Sequence, residues 1–260
     1  MNIVERKMLD VLVNLKEEFG VFEIKAEFEA EGSRLDEMMR LKDITSHVGL
    51  PIILKIGGVE AVTDVYHALA LGVKGCIAPM AETKYALSKF TDLIENFIPS
   101  DNADDIEFGA NIETITACNN FNDMLTIPNI KNLSGITIGR VDLVGSMGLE
   151  RDSINSSEEV KNLCKNVFSI AKKNGFKTAM GGGISTEAFP IISELNSDNL
   201  IDKYETRKVV FPSESVRCGD KSILKAVEFE LLWLKSKERY YHRIKIEDEN
   251  RIKMLEKRLR

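Results

Sequence analysis

The chain has 260 residues, of which 43% are hydrophobic and 29% charged, with a formal charge of −6. That acidic balance excludes the basic surface on which nucleic-acid binders rely, and no run approaches the roughly 18 apolar residues of a membrane span. Cys76, Cys118, Cys164 and Cys218 are scattered and form no CxxC pair, which predicts neither disulfides nor a zinc cluster and fits a reducing cytoplasm.

The first twenty residues carry charges throughout, unlike a secretory signal. Val4, Met8, Val11, Leu12 and Leu15 recur near helical spacing and Gly20 ends the pattern, which predicts an amphipathic helix. Short apolar runs then alternate with amphipathic segments. Strands are predicted near 21–28, 51–56, 73–78, 107–112, 135–138, 176–180 and 208–211, and helices over 35–47, 59–70, 84–97, 116–125, 157–173 and 186–195. Gly49-Leu50-Pro51 enters the second strand, Gly57-Gly58 leaves it, and Gly181-Gly182-Gly183 closes the sixth.

Repeated βα units predict a parallel sheet covered by helices, which a barrel and a doubly wound sheet both satisfy. No GxGxxG turn follows the first strand, so a dinucleotide-binding sheet loses ground. The expectation is a TIM-like (β/α) barrel with its N-terminal helix over residues 1–220, and a helical extension over 221–260. Seven strands are legible where a closed barrel takes eight, so the first strand is expected to be atypical or missing. In the extension, Leu224, Val227, Leu231 and Leu234 form an apolar stripe with Trp233 to one side, and Tyr241, Ile244, Ile252, Leu255 and Leu259 follow more loosely. A solvated face laced with salt bridges and a contact between copies of the chain are both open; the helix length favours a homo-oligomer.

Two acids stand where strands end. Glu113 follows Ala110-Asn111-Ile112, and Asp142 follows Gly135-Ile136-Thr137-Ile138-Gly139. From adjacent parallel strands their carboxylates can converge on one cation, and a pair of oxygen ligands that leaves positions for water and substrate suits Mg²⁺ or Mn²⁺. The alternative is a helix cap and a loop acid, since Asp and Glu favour helix starts.

Here the chain resembles the HpcH/HpaI aldolase and citrate lyase family of phosphoenolpyruvate-type barrels. The likeness rests on Ile112-Glu113-Thr114, Ile138-Gly139-Arg140-Val141-Asp142-Leu143 and Ser146-Met147-Gly148. It extends upstream through Gly75-Cys76-Ile77-Ala78-Pro79-Met80 and Glu27-Phe28-Glu29, covering roughly residues 20 to 185. The resemblance implies a divalent metal on Glu113 and Asp142, and aldol or Claisen chemistry beside an enolate. Small keto acids or acyl thioesters are the implied substrates, and Pro79, Gly139, Arg140 and Gly182 are the candidate substrate-binding residues: Arg140 as a positive charge, and Gly182 in a glycine turn that suits either an anion or close packing. A barrel that keeps the acids but serves only as a binding or scaffold subunit is the non-enzymatic alternative.

The chain departs from the family in three places. Lys55 stands where an arginine usually grips the substrate carboxylate; it is a cation without the planar fork. It is either a substrate contact or the partner of a barrel acid, and a Schiff-base role is the minor option. Ala30 replaces a histidine used as a base, and His47, His67 and His242 fall in helical stretches. Proton transfer therefore falls to Glu27, Glu29, a metal-bound water or the substrate itself, with Glu31 a weaker candidate and Glu82 and Thr83 as pocket-lining residues. Finally, only a helix precedes the acidic signature, where the family has a strand and a helix.

Overall fold

The computed structural model describes residues 1–259. Helix α1 (Ile3–Phe19) opens on an Asn2 cap and ends at Gly20, whose φ of 69° is the left-handed conformation glycine adopts without strain. Then follow β1 (Glu23–Glu27), α2 (Leu35–Val48), β2 (Ile52–Lys55), α3 (Val62–Leu71), β3 (Gly75–Ala78), α4 (Lys84–Phe97) and the single turn α5 (Ser100–Ala103). The second half contains β4 (Glu107–Asn111), α6 (Ile115–Met124), β5 (Gly135–Gly139), α7 (Arg140–Ser146), α8 (Glu158–Lys173), β6 (Lys177–Gly181) and α9 (Phe189–Ser197). It closes with β7 (Lys203–Glu205), β8 (Val209–Pro212) and the long α10 (Asp220–Arg258).

The eight strands form a closed barrel in chain order. β1 to β7 run parallel, whereas β8 is antiparallel to both β7 and β1. The reason is chain length. A parallel connection takes a dozen or more residues, and only Thr206-Arg207-Lys208 separates β7 from β8. The strand expected near 208–211 is therefore present but reversed, and the three-residue β7 was not legible. The strand missing before the acidic signature has its place in the barrel taken by β8, which pairs Glu23 with Val210 and Ile24 with Val209.

Strand alternation sorts the side chains. Ile24, Ala26, Ile52, Leu54, Ala110, Ile136, Ile138, Met180 and Tyr204 are buried in the main core, beneath the helices. The other parity of the strands carries charge: Lys203 bonds Glu23 at 2.8 Å, Lys177 bonds Glu107 at 2.6 Å, and Lys25 pairs with Glu205. The Lys203–Glu23 and Lys25–Glu205 pairs are largely buried, so each charge is neutralised by its partner. The first half of α10 packs on α1 through Ile223, Ala226, Phe229 and Trp233, so Trp233 lies on the inner face. No helix is long and apolar enough to cross a membrane among the described residues.

Candidate active site

The carboxyl ends of β1 to β7 and the amino end of β8 meet at one mouth. β1 delivers Glu27, and the turn after it brings Glu29 and Glu31, so Glu27 and Glu29 do not share a strand face as their spacing suggested. Each acid has a cation beside it. Lys55, at the end of β2, places Nζ 2.6 Å from Glu29 Oε2 and 3.6 Å from Glu113 Oε2. Arg207 lies 3.1 Å from Glu27 Oε1 through Nη2 and 3.1 Å from Glu31 Oε1 through Nε, while Lys208 pairs with Glu31. Glu27 Oε1 is buried and its contact with Arg207 lacks hydrogen-bond alignment, so it has no donor.

Glu113 sits at the centre, 1% exposed. Its Oε1 accepts the Met80 N–H at 3.0 Å and its Oε2 accepts the Asn111 amide at 2.9 Å. Met80 reaches it from a left-handed backbone with φ of 49°, a strained conformation for a residue with a side chain. Burial pushes the Glu113 carboxyl above its usual range; Lys55, Met80 and Asn111 oppose the rise, and the negative charge of Asp142 adds to it. For Lys55, burial works against the charge, but Glu113 and Glu29 outweigh it and hold the ammonium above the ordinary lysine range. The helix cap after β4 is Thr114, whose hydroxyl accepts from the Ala117 N–H, so Glu113 is free of that duty.

Asp142 lies in the first turn of α7, exposed, with no side-chain partner among the described residues. Glu113 leans toward the strand end that leads into this helix. A Cβ on Gly139 would meet Glu113 Oε2 at 2.3 Å, so glycine makes the room that carboxylate occupies. The implied metal fits this donor set. Each Glu113 oxygen accepts one hydrogen bond and keeps a second lone pair, and Asp142 is unengaged. No group of three or more His, Cys, Asp or Glu side chains is placed to hold an ion among the described residues.

Other expected residues take bracing positions. Arg140 is wholly buried, and its guanidinium donates to the carbonyls of Ile154, Gly182 and Gly183 and to Asn155 Oδ1. α7 begins at Arg140 and turns this side chain toward the glycine loop. Gly182 packs on that helix start: with φ of 76°, a Cβ there would meet the N atoms of Arg140 and Val141 at 2.6 Å. Pro79 is buried just before Met80. Glu82 accepts the Thr114 hydroxyl at 2.7 Å, and Thr83 caps α4, so both stitch loops beside Glu113. His47, His67 and His242 lie on α2, α3 and α10.

Met80, Asn111, Arg207 and Lys208 were missed from sequence. Nothing in a short polar stretch marks the Arg207 turn as part of the mouth; only the reversal of β8 puts it there. A cavity of about 360 Å³ lies elsewhere, between α1, α2 and α10, lined in part by Trp233, Tyr240 and Tyr241. Among its charged groups Arg40 pairs with Glu5 and Lys237 with Glu37.

The crystal structure of an HpcH/HpaI aldolase from Desulfitobacterium hafniense DCB-2 matches over 92% of this chain and 90% of that one, with a TM-score of 0.61 at 14% identity. The fold is that of the HpcH/HpaI aldolase and citrate lyase proteins. The citrate synthase SbnG matches with a TM-score of 0.64 at 13% identity, over 91% of each chain. An HpcH/HpaI aldolase/citrate lyase family protein from Burkholderia cenocepacia J2315 matches at 0.61 and 14%, over 94% of this chain and 92% of the other. No protein-family model matches the sequence, and no curated protein does.

Proposed function

We propose that the chain is a divalent-metal-dependent carbon–carbon lyase or aldolase acting on a small keto acid. The observation that carries this reading is the approach of Glu113 to Gly139, which aims a buried carboxylate at the strand end where Asp142 stands unpaired. Mg²⁺ or Mn²⁺ held by these two residues would supply Lewis-acid polarisation of a carbonyl and offset the charge of an enolate.

The chain's own residues divide the remaining work. Met80 N–H and the Asn111 amide fix the orientation of Glu113, and Lys55 favours the ionised form of that buried carboxylate, the form that binds a cation. Glu27, with a buried oxygen that has no donor, is the proton acceptor; Glu29 orients the Lys55 ammonium beside it. The fold neighbours include a citrate synthase and aldolases by name, which supports an enzyme of this broad chemistry. The chain works as a homo-oligomer in this reading, because Leu224, Val227, Leu231 and Leu234 are exposed on α10 at the three-and-four spacing of a two-helix seam.

Exchange of the pyruvate methyl protons in D₂O, followed by NMR with Mg²⁺ or Mn²⁺, tests the reading without knowledge of the acceptor. The expected result is metal-dependent exchange that disappears in Asp142→Asn. Absence of exchange in the unmodified protein at saturating metal and pyruvate would overturn it.

A further inference from the structure

Because β8 runs against its neighbours, its amino end reaches the mouth, and the Thr206-Arg207-Lys208 turn carries two cations to the face where β1 to β7 present their loops. Four cations have been placed around this site. Lys55 is held between Glu29 and Glu113; Lys208 is 2% exposed and sits on Glu31; Arg140 is sealed among backbone carbonyls. Arg207 is different: its side chain is 47% exposed and it has the planar fork that Lys55 lacks.

We propose that Arg207 binds the carboxylate of the substrate, with Glu27 and Glu31 holding its guanidinium at the mouth until that carboxylate arrives. The proposal rests on the keto-acid reading above. A lysine binds a carboxylate as a point charge, whereas a guanidinium offers two parallel N–H donors and so fixes its direction as well. The Glu27 contact is the one that yields, since at 3.1 Å it has charge attraction without hydrogen-bond alignment. Nε keeps its aligned bond to Glu31 at 3.1 Å, so the arginine stays anchored while its outer edge changes partner.

The test compares Arg207→Ala and Arg207→Lys with the unmodified protein in the pyruvate exchange assay with Mn²⁺. Pyruvamide, which lacks the carboxylate, serves as the second probe. For pyruvate, both variants are expected to need about tenfold or more higher concentration for half-maximal exchange, the lysine variant included because charge alone does not restore the fork. Half-saturation by pyruvamide should be the same in all three proteins, and thermal stabilisation by Mn²⁺ should be unchanged, which shows that the variants are folded and the ion site is intact. If the variants match the unmodified protein with pyruvate, or lose pyruvamide to the same extent, Arg207 is not the carboxylate ligand although the keto-acid reading stands. If the unmodified protein exchanges neither probe, the keto-acid reading fails, and the role of Arg207 fails with it.

Discussion

The Lys55 ammonium lies 3.6 Å from Glu113 Oε2, within a barrel where Glu113 is 1% exposed and Lys55 7%. An isolated charge at that depth would be neutralised, and this contact favours the ionised form of Glu113. Lys55→Met leaves the carboxylate without its cation and is expected to destabilise the fold by roughly 3 kcal/mol at neutral pH. The sign of the pH dependence follows from Glu113. Its folded-state pKa, already raised by burial, rises further, so stability is lost as pH climbs from the ordinary carboxylate value of 4.5 through that higher value. Denaturant unfolding at pH 5 and pH 8 should therefore show the larger deficit at pH 8. An equal deficit at both would mean that Glu113 does not depend on Lys55.

Gly139→Ala tests the approach of Glu113 to β5. The added carbon would lie 2.3 Å from Glu113 Oε2 and 3.0 Å from its Cβ, so the acid must move. Overpacking of this kind costs about 1–3 kcal/mol. The expected result is a modest fall in melting temperature together with loss of stabilisation by Mn²⁺. Retained Mn²⁺ stabilisation would show that the position of Glu113 is not needed for the ion.

Much of this was written in local pattern. Strands such as 135–138 and helices such as 84–97 have apolar periodicity and clear breakers, and Glu113 and Asp142 are marked by the strands that precede them. What escaped was set by tertiary context. β7 is only Lys203-Tyr204-Glu205, with charges on its inner face and one apolar residue, so no hydrophobic run betrays it. α7 is seven residues long, and its start decides where Arg140 points. The role of Arg207 depends on a reversal of chain direction, which no side chain near it encodes.

Glu37 links α2 to α10. It accepts from the Arg34 N–H at 3.0 Å and from the Tyr241 hydroxyl, and lies 3.1 Å from Lys237. Burial raises its pKa, but these partners outweigh burial and hold the carboxyl below its usual range. Its contribution is therefore present above the ordinary value of 4.5 and lost as pH falls through the depressed one. Glu37→Gln should flatten the acid side of the stability profile, read by circular dichroism melts between about pH 5 and 3. An unchanged slope would remove Glu37 from the account.

The exposed stripe on α10 leads to a prediction about assembly. Leu231→Glu combined with Leu234→Glu places charge on the proposed seam while the inner face of Ile223, Phe229 and Trp233 stays intact. Light scattering after size exclusion should report a lower mass for the double variant at unchanged helicity. The same mass in both proteins would place any self-association elsewhere.

Binding of Mn²⁺ measured by water-proton relaxation addresses the centre of the account without reference to substrate. The unmodified protein is expected to take up one ion per chain, and Asp142→Asn, which alters an exposed side chain, should remain folded but lose that ion. Failure of the unmodified protein to bind Mn²⁺, or equal binding by Asp142→Asn, would contradict the pairing of Glu113 with Asp142.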